Sequence, residues 1–295
     1  MASSIRLDTT DFDTSQISFL ASDASETACG GGLLTHGSSG FSFDPQGQFF
    51  SPLHSDLIGA SSGLREITAI YWMLLALRNR LPSRIVTFTD SSVACSTIAR
   101  GSRIPGIQDV ARRIFAWCMW NHVQLLPCWA PRDCRILAEA DARSRWRDVH
   151  GQLTPTLVFA EASRVAVSIW GRTLSFDRQA SHLNVIPPRS WHRPPLPFNS
   201  LCHQPGSAGV DIFLQPASSW QRHINFVHPA SPTIGRLLTF LPSTASRTVV
   251  VIPTRIATGR PWWSNLVRRG APGVVSVRRS HGFLVVAVDH RRRRL

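Results

Sequence analysis

The sequence contains no lysine, so all 32 of its basic residues are arginine. A coding bias toward arginine explains the missing lysine as readily as function does, but it does not explain where the arginines lie. Residues 1–150 hold 14 Arg and 14 acidic residues, whereas residues 151–295 hold 18 Arg and only 4 acidic residues. The second half therefore carries the whole net charge of +14. Such an uneven positive charge favours contacts with phosphate groups.

Long hydrophobic runs are also missing. No apolar segment reaches the length of a membrane span, and the N-terminus lacks a signal-peptide pattern. We therefore expect no membrane partner and an intracellular protein of the nucleus or cytoplasm. With 43% hydrophobic residues in 295 positions, the chain has enough apolar material for two folded domains.

Cysteine is sparse, and no Cys-x-x-Cys pair occurs. The six cysteines stand far apart, which excludes the usual zinc-finger spacings and a disulfide scaffold, and fits a reducing compartment. They are Cys29, Cys95, Cys118, Cys128, Cys134 and Cys202.

What the first half does have is a set of four carboxylates at the ends of predicted elements. Such side chains can converge above one edge of a sheet, where they would repel each other unless cations neutralised them. Hard oxygen ligands suit Mg²⁺ or Mn²⁺, and two-metal phosphodiester sites are built from them. The four are Asp23 ending strand 17–23, Glu66 in the first turn of helix 62–81, Asp90 ending strand 84–90, and Asp141 opening segment 140–146.

The elements predicted over residues 15–148 follow the order β-β-β-α-β-α-α-β-α. Alternating apolar residues predict the strands, and apolar residues at helical spacing predict the helices. Ser61 or Ser62 is expected to cap the first helix, and Ser91 or Ser92 the second. The remaining predicted elements are strands 30–36, 40–50 and 123–129, and helices at 107–121 and from about 138.

Around these carboxylates the chain resembles the ribonuclease H domain of DIRS-like, tyrosine-recombinase retrotransposons. The resemblance implies an α/β fold with a mixed sheet flanked by helices. It also implies a metal-dependent endonuclease that hydrolyses the RNA strand of RNA–DNA hybrids, with a reverse transcriptase of the same element as a partner. The matching segments are Ser22-Asp-Ala-Ser25, Gly30-Gly-Gly32, Leu64-Arg-Glu66, Thr89-Asp-Ser-Ser92 and Ala138-Glu-Ala-Asp-Ala-Arg-Ser-Arg145.

The resemblance assigns roles to the four carboxylates and two Mg²⁺ or Mn²⁺ ions as cofactors. Asp23 would bridge both ions, Asp141 would share the ion that activates water, and Glu66 and Asp90 would hold the other. Ser25, Gly30 and Gly31 are expected to contact the hybrid. A bulge or turn between strands explains the glycines equally well. Arg132 stands in the loop where many ribonucleases H carry a mobile His, and it is also expected to contact the nucleic acid.

A second series of motifs lies in the second half: Leu153-Thr-Pro155, Phe176–Asn184, Pro187-Pro-Arg189, Gly209-Val-Asp211, Phe226–Pro232, Val249–Arg255 and Arg260-Pro-Trp-Trp263. In these motifs and their order the second half resembles phage adenine-N6 DNA methyltransferases, which implies a second α/β domain over residues 149–285. At the adenine-acceptor motif, however, His228 stands where the family has Asp or Asn, and the family's aromatic residue is missing. We therefore expect a degenerate domain that binds nucleic acid without methyl transfer. The residues expected to bind are Arg255, Arg260, Trp262, Arg268 and Arg269, with packing in the core as the alternative for Trp262 or Trp263.

Residues outside these domains are expected to form a flexible arm, 1–14, and a basic tail, 286–295. Arg291–Arg294 in the tail fit a nuclear-import signal, a phosphate-binding tail or merely solvated charge. Two rival hypotheses remain for the whole chain. It is either a catalytically inactive, nucleic-acid-binding remnant of a retroelement polyprotein, or another nuclease of the same fold, such as an integrase or resolvase. Integrases place their Glu late in the chain, which favours ribonuclease H.

Overall fold

The chain divides into two compact units, residues 1–146 (unit 1) and 147–295 (unit 2). The predicted arm and the last four residues of the predicted tail lie outside the part of the chain that the structure describes. This structure is a computed structural model that describes residues 16–146, 153–186, 195–257, 260, 262–263 and 272–291.

Unit 1 has the predicted order of elements, including two consecutive helices before its last strand. A single 3-10 turn, Arg78–Arg80, extends the first helix. The strands and helices are β1 (Ile17–Ala24), β2 (Ala28–Gly37), β3 (Gly40–Pro52), α1 (Ser62–Leu77), β4 (Arg84–Thr89), α2 (Ser92–Arg100), α3 (Pro105–Trp120), β5 (Gln124–Trp129) and α4 (Arg135–Ser144).

The five strands of unit 1 form one mixed sheet in the order β3-β2-β1-β4-β5. The first three strands pair antiparallel, and β1, β4 and β5 are parallel to one another. This mixed sheet with helices around it confirms the predicted fold class for residues 15–148, an α/β unit with a mixed sheet flanked by helices. The parallel pairing of β1 with β4 brings their carboxyl ends to the same edge of the sheet.

Both faces of the unit 1 sheet are covered. Alternate residues of β1 point to opposite faces, so Leu20 packs with α1, α2 and α3 while Ala21 packs with α4. From α4, Leu137 and Ala140 complete the second, smaller cluster. Burying a leucine side chain such as that of Leu20 or Leu137 contributes about 2 kcal/mol. The packing therefore holds α1 and α4 against the central strand from opposite sides.

Capping residues set the starts of α1 and α2 as predicted. Ser61 Oγ accepts a hydrogen bond from Leu64 N, and Ser91 Oγ accepts one from Ala94 N. Gly101, with φ of 79°, ends α2. The prediction that Glu66 lies in the first turn of its helix is wrong, because α1 begins at Ser62 and its first turn holds no acidic residue.

Unit 2 is a second α/β unit, as predicted. Among its described residues, two 3-10 turns, Ile212–Leu214 and Ser231–Thr233, lie between longer elements. The strands and helices are α5 (Thr156–Trp170), β6 (Phe176–Asp177), β7 (Asn199–Ser200), β8 (Gly209–Val210), α6 (Ala217–Gln221), β9 (Ile224–Val227), α7 (Ile234–Thr244), β10 (Arg247–Pro253), α8 (Thr254–Ala257), β11 (Val274–Ser280) and β12 (Phe283–Asp289).

The main sheet of unit 2 has the order β11-β12-β10-β9-β6. Strands β6, β9 and β10 are parallel, and β12 pairs antiparallel with both β10 and β11. Along β10, Val249 and Val251 pack with α5, whereas Val250 and Ile252 pack on the opposite face with α7. The continuous apolar run 249–252 therefore reflects a strand buried on both faces.

Two sequence expectations fail in unit 2. The basic tail cannot begin at residue 286, because β12 runs to Asp289 and its residues 284–289 are buried. Strand β11 was not predicted, because its polar segment from Arg278 to Ser280 hides the strand pattern.

None of the six cysteines forms a disulfide. Among the helices that the structure describes, none has the length and apolarity needed to cross a membrane.

Candidate functional site

Three of the four predicted carboxylates meet at the carboxyl edge of the unit 1 sheet. Asp23 lies near the end of β1, Asp90 follows β4 directly, and Glu66 reaches the same point from α1. One carboxylate oxygen from each of them lies within 4.8 Å of the other two. Parallel neighbours β1 and β4 explain the approach of the two aspartates, and the packing of α1 on β1 supplies the glutamate.

The cluster is strongly desolvated. Asp23 is 3% exposed and Glu66 is 7% exposed. Burial, followed by the charges of Asp23 and Asp90, raises the pKa of Glu66 to about 9. Burial likewise raises the pKa of Asp23, although a hydrogen bond from Ser144 opposes this shift. Ionising all three groups at neutral pH carries a large energetic penalty unless a cation neutralises them.

Hydrogen bonds satisfy only part of this cluster. Glu66 Oε1 accepts a hydrogen bond of 3.3 Å from Ala24 N. Glu66 Oε2 is buried and has no hydrogen-bond partner among the residues that the structure describes. A buried, unpartnered carboxylate oxygen beside two further carboxylates is the donor set that Mg²⁺ or Mn²⁺ prefers. The residues present therefore fit a divalent cation.

The fourth carboxylate, Asp141, is placed differently from its prediction. It does not open its segment but lies well inside α4, and it is not part of the three-residue group. Arg132 and Arg145 form ion pairs with it at 2.7 and 2.8 Å. Hydrogen bonds from Arg145, and then from Arg132, lower the pKa of Asp141 to about 2.

Ser144 connects α4 to the cluster. Its Oγ donates a hydrogen bond of 2.7 Å to Asp23 Oδ2 and lies 2.9 Å from the backbone oxygen of Asp141. The backbone oxygen of Ser144 accepts a 2.7 Å hydrogen bond from Ser25 Oγ. Sequence reasoning missed this serine as a site residue, although it stands three positions after Asp141 and so one helical turn away.

The predicted substrate contacts of Gly30 and Gly31 are not supported, because both glycines are buried. A Cβ on Gly30 would collide with the backbone of Arg143 and Ser144, and a Cβ on Gly31 with the backbone of Ala21. The structure thus gives these glycines a packing role: Gly30 allows α4 to lie directly on β2, and Gly31 allows close contact with β1. Gly30 in particular fixes how closely Ser144 approaches Asp23.

A cavity of about 400 Å³ opens beside the carboxylates. Three guanidinium groups line it, those of Arg65, Arg132 and Arg145, together with Ser25 and the buried Glu66. Arg65 donates to the backbone oxygen of Ser25 at 2.5 Å. Of these arginines only Arg132 was predicted. The other two lie next to predicted carboxylates in the sequence or one turn beyond them, which is the signal that could have identified them.

In unit 2, the described residues among those predicted to bind nucleic acid do not line one common cavity. Arg255 lines two adjoining cavities of about 620 and 610 Å³, the second of which also contacts Trp263 and Arg279. No carboxylate lines either cavity among the described residues. Arg260 is exposed. Trp262 instead lines a separate cavity. Both Trp262 and Trp263 are half-buried and pack against the core. Arg268 and Arg269 lie outside the described residues.

His228 follows β9 and lines the larger of these two cavities. It is 3% exposed, and burial lowers its pKa to about 4, so its ring is neutral at physiological pH. Its Nδ1 lies 2.8 Å from Thr154 Oγ1, and its Nε2 is buried without a partner among the described residues. The structure therefore offers a neutral imidazole here instead of the amide or carboxylate acceptor of a methyltransferase.

No protein-family model matches the chain, and no curated protein sequence matches it significantly. Two solved structures similar to part of it are ribonuclease H domains. RNase H1 of the halophilic archaeon Halobacterium salinarum NRC-1 is 18% identical, with a TM-score of 0.35, over 43% of this chain and 93% of that chain. The N-terminal RNase H domain of a Mycobacterium tuberculosis protein, solved as a maltose-binding-protein fusion, is 13% identical, with a TM-score of 0.33, over 44% of this chain and 96% of that chain.

Proposed function

We propose that unit 1 is a divalent-cation-dependent endonuclease that hydrolyses the RNA strand of RNA–DNA hybrids. The observation that carries this proposal is the meeting of Asp23, Glu66 and Asp90 within 4.8 Å at one sheet edge. Three clustered carboxylates destabilise a folded chain unless a proton or a cation neutralises them, and a divalent cation can bind all three at once. The basic cavity beside them supplies a place for the phosphate backbone of a substrate.

Asp23, Glu66 and Asp90 would hold one cation, and Asp23 together with Asp141 would hold the second. Bound at such a site, divalent cations supply Lewis-acid stabilisation of phosphoryl oxygens and an activated water for phosphodiester hydrolysis. Mg²⁺ and Mn²⁺ both fit an all-oxygen donor set. The roles given to the four carboxylates rest on the resemblance to ribonucleases H.

The protein's own groups position the reactants. Ser144 orients the Asp23 carboxylate through its 2.7 Å hydrogen bond and favours the ionised form of that carboxylate. Arg65, Arg132 and Arg145 place guanidinium donors around the cavity, and guanidinium groups bind phosphate oxygens in bidentate fashion. Ser25 lies on the same cavity wall, where its hydroxyl can exchange a backbone partner for a 2′-hydroxyl of RNA.

A substrate panel tests this proposal. The purified chain is incubated in Mg²⁺ or Mn²⁺ with end-labelled RNA–DNA hybrid, double-stranded RNA, double-stranded DNA and single-stranded RNA, beside Asp23→Asn as a control for contaminating nuclease. The proposal predicts that wild type cleaves the RNA strand of the hybrid at least about tenfold faster than any other substrate. That ratio corresponds to about 1.4 kcal/mol of transition-state preference. Preferential cleavage of duplex DNA would instead assign the site to an integrase-like or resolvase-like nuclease.

For unit 2 we propose nucleic-acid binding without methyl transfer. The cavities lined by Arg255 and Arg279 carry positive charge and the aromatic rings of Trp263 and Phe283, with no carboxylate among their described lining residues. Arginine beside aromatic rings suits phosphate contacts and base stacking. The same surface supports the alternative that the whole chain is an inactive, nucleic-acid-binding remnant. Origin in a DIRS-like retroelement and a reverse transcriptase as partner remain part of this proposal, as does a nuclear or cytoplasmic location.

A further inference from the structure

Two arginines cover the fourth carboxylate of the proposed active site. Arg145 Nε donates to Asp141 Oδ2, and Arg145 Nη2 donates to Oδ1, each at 2.8 Å. Arg132 Nη2 donates to Asp141 Oδ1 at 2.7 Å. Each oxygen of Asp141 is therefore paired with a guanidinium group. Since like charges repel, a divalent cation binds this carboxylate less tightly while both arginines remain in place.

The other three carboxylates are far less obstructed. Among the described residues, their ion-pair contact within 4.0 Å is that of Arg132 Nε with Asp90 Oδ2, at 3.8 Å and beyond hydrogen-bond distance. Glu66 Oε2 has no hydrogen-bond partner among those residues. The site thus has two unlike parts: a three-carboxylate group open to a cation, and Asp141 with its charge already compensated.

Arg132 and Arg145 are exposed enough to move away from Asp141. Their side chains are 63% and 60% exposed for Arg132 and Arg145, and exposed ion pairs are weak and easily exchanged. Both also line the cavity beside the carboxylates, in company with Arg65. A phosphodiester in that cavity offers each guanidinium a planar, bidentate anionic partner equivalent to the carboxylate.

We propose that Arg132 and Arg145 lock Asp141 in the substrate-free protein, and that the phosphate backbone of the nucleic acid opens this lock by taking over the two guanidinium groups. The free protein then holds one divalent cation, at Asp23, Glu66 and Asp90. Asp141 becomes a ligand only when nucleic acid is bound. This inference rests on the proposed nuclease function and adds to it a substrate-dependent assembly of the site.

Counting bound Mn²⁺ tests the lock without any need for activity. The full-length chain is titrated with Mn²⁺, and free Mn²⁺ is measured by electron paramagnetic resonance. We expect one bound Mn²⁺ in wild type and two in the Arg132→Ala/Arg145→Ala variant, with second-site affinity raised by about fivefold or more, as the loss of two exposed ion pairs implies. Adding Asp141→Asn to that variant should remove the second Mn²⁺ again.

A matched control is Arg112→Ala/Arg113→Ala, which removes two exposed charges from α3, one of them paired with Asp109 at 2.7 Å. It should keep one Mn²⁺. In wild type, a non-cleavable hybrid with 2′-O-methyl RNA should raise the count to two. Two Mn²⁺ in free wild type, or one in the folded Arg132→Ala/Arg145→Ala variant, would overturn the lock and leave the nuclease proposal intact. No bound Mn²⁺ in wild type would overturn both.

Single Arg132→Ala and Arg145→Ala variants test the same proposal if the double variant folds poorly. The lock predicts an intermediate gain in second-site affinity for each, because each removes one of the two compensating charges from Asp141. Far-ultraviolet circular dichroism verifies the fold of every variant. No gain in either folded single variant counts against the lock.

Discussion

Ser144 Oγ lies 2.7 Å from Asp23 Oδ2, across a sequence separation of 121 residues, and this hydrogen bond fastens the last helix of unit 1 to its first strand. The bond also lowers the pKa of Asp23, which burial raises. One hydroxyl therefore serves both the packing of α4 and the charge of the proposed cation site.

Replacing this serine should weaken cation binding. In Ser144→Ala, Asp23 loses the donor that favours its ionised form, so we expect Mg²⁺ or Mn²⁺ affinity to fall about fivefold to tenfold and unfolding free energy to fall by about 1 kcal/mol. Isothermal titration calorimetry measures the first and urea denaturation the second. Ser42→Ala, which removes an exposed hydrogen bond to Thr35, is the control. Unchanged cation affinity in Ser144→Ala would show that the bond is structural only.

Adding a methyl group at Gly30 should disturb the proposed cation site by displacing α4. Its Cβ would overlap the backbone of Ser144 and Arg143, so α4 must move away from β2. We expect Gly30→Ala to lose about 1–3 kcal/mol of stability and most of its cation affinity. Gly37→Ala is the matched control, because nothing lies within 4 Å of its Cβ position. Equal denaturation midpoints for the two variants would contradict this packing.

Stability of the cation-free protein should fall as pH rises. The pKa of Glu66 is about 9 in the folded chain against its ordinary value of 4.5, so between these pH values the folded chain holds a proton that the unfolded chain has lost. Unfolding free energy then decreases with pH, by up to about 1.4 kcal/mol per pH unit. Thermal melting in EDTA from pH 5 to 9 measures this slope.

Glu66→Gln should reduce that slope, because the amide does not titrate, and it should also abolish most of the stabilisation by added Mg²⁺. Glu26→Gln changes an exposed acid on the same cavity and should keep both effects. A slope that is the same in wild type and Glu66→Gln would mean that another group governs the pH response.

Unit 2 should bind nucleic acid through its basic cavities. Arg255→Ala/Arg279→Ala removes two guanidinium groups from their walls, so we expect weaker binding of single-stranded nucleic acid and a salt dependence reduced by about one unit per lost phosphate contact. Fluorescence anisotropy at several salt concentrations measures both. Arg164→Ala, which breaks an ion pair with Glu161 on α5, should behave like wild type. Loss of binding without a change in salt dependence would argue against phosphate contacts.

The sequence predicts much of unit 1 because its signals are local. Alternating apolar residues mark β1 and β4, and a strand pairing parallel to its neighbour brings Asp23 and Asp90 to one edge. Long-range packing is not visible in this way. Two contacts depend on how distant elements meet: the approach of α4 to Gly30, and the hydrogen bond of Ser144 to Asp23.

Unit 2 was harder to predict for a related reason. Strands β6, β7 and β8 have two residues each, too few to show a period. The exposed polar face of β11 resembles a loop in composition. His228 lies against Thr154, which precedes α5, and against Phe283 of β12, and no local pattern reveals these neighbours.

The most direct test of the proposed function compares wild type with Asp90→Asn on a labelled RNA–DNA hybrid in Mg²⁺ or Mn²⁺, with hybrid binding measured in parallel. Removing a cation ligand should reduce RNA-strand cleavage by about 10³-fold or more, a loss of about 4 kcal/mol in transition-state stabilisation, while the hybrid remains bound. Cleavage by wild type alone is the predicted result. A hybrid that binds both proteins and is cut by neither would contradict the enzyme and leave a nucleic-acid-binding remnant.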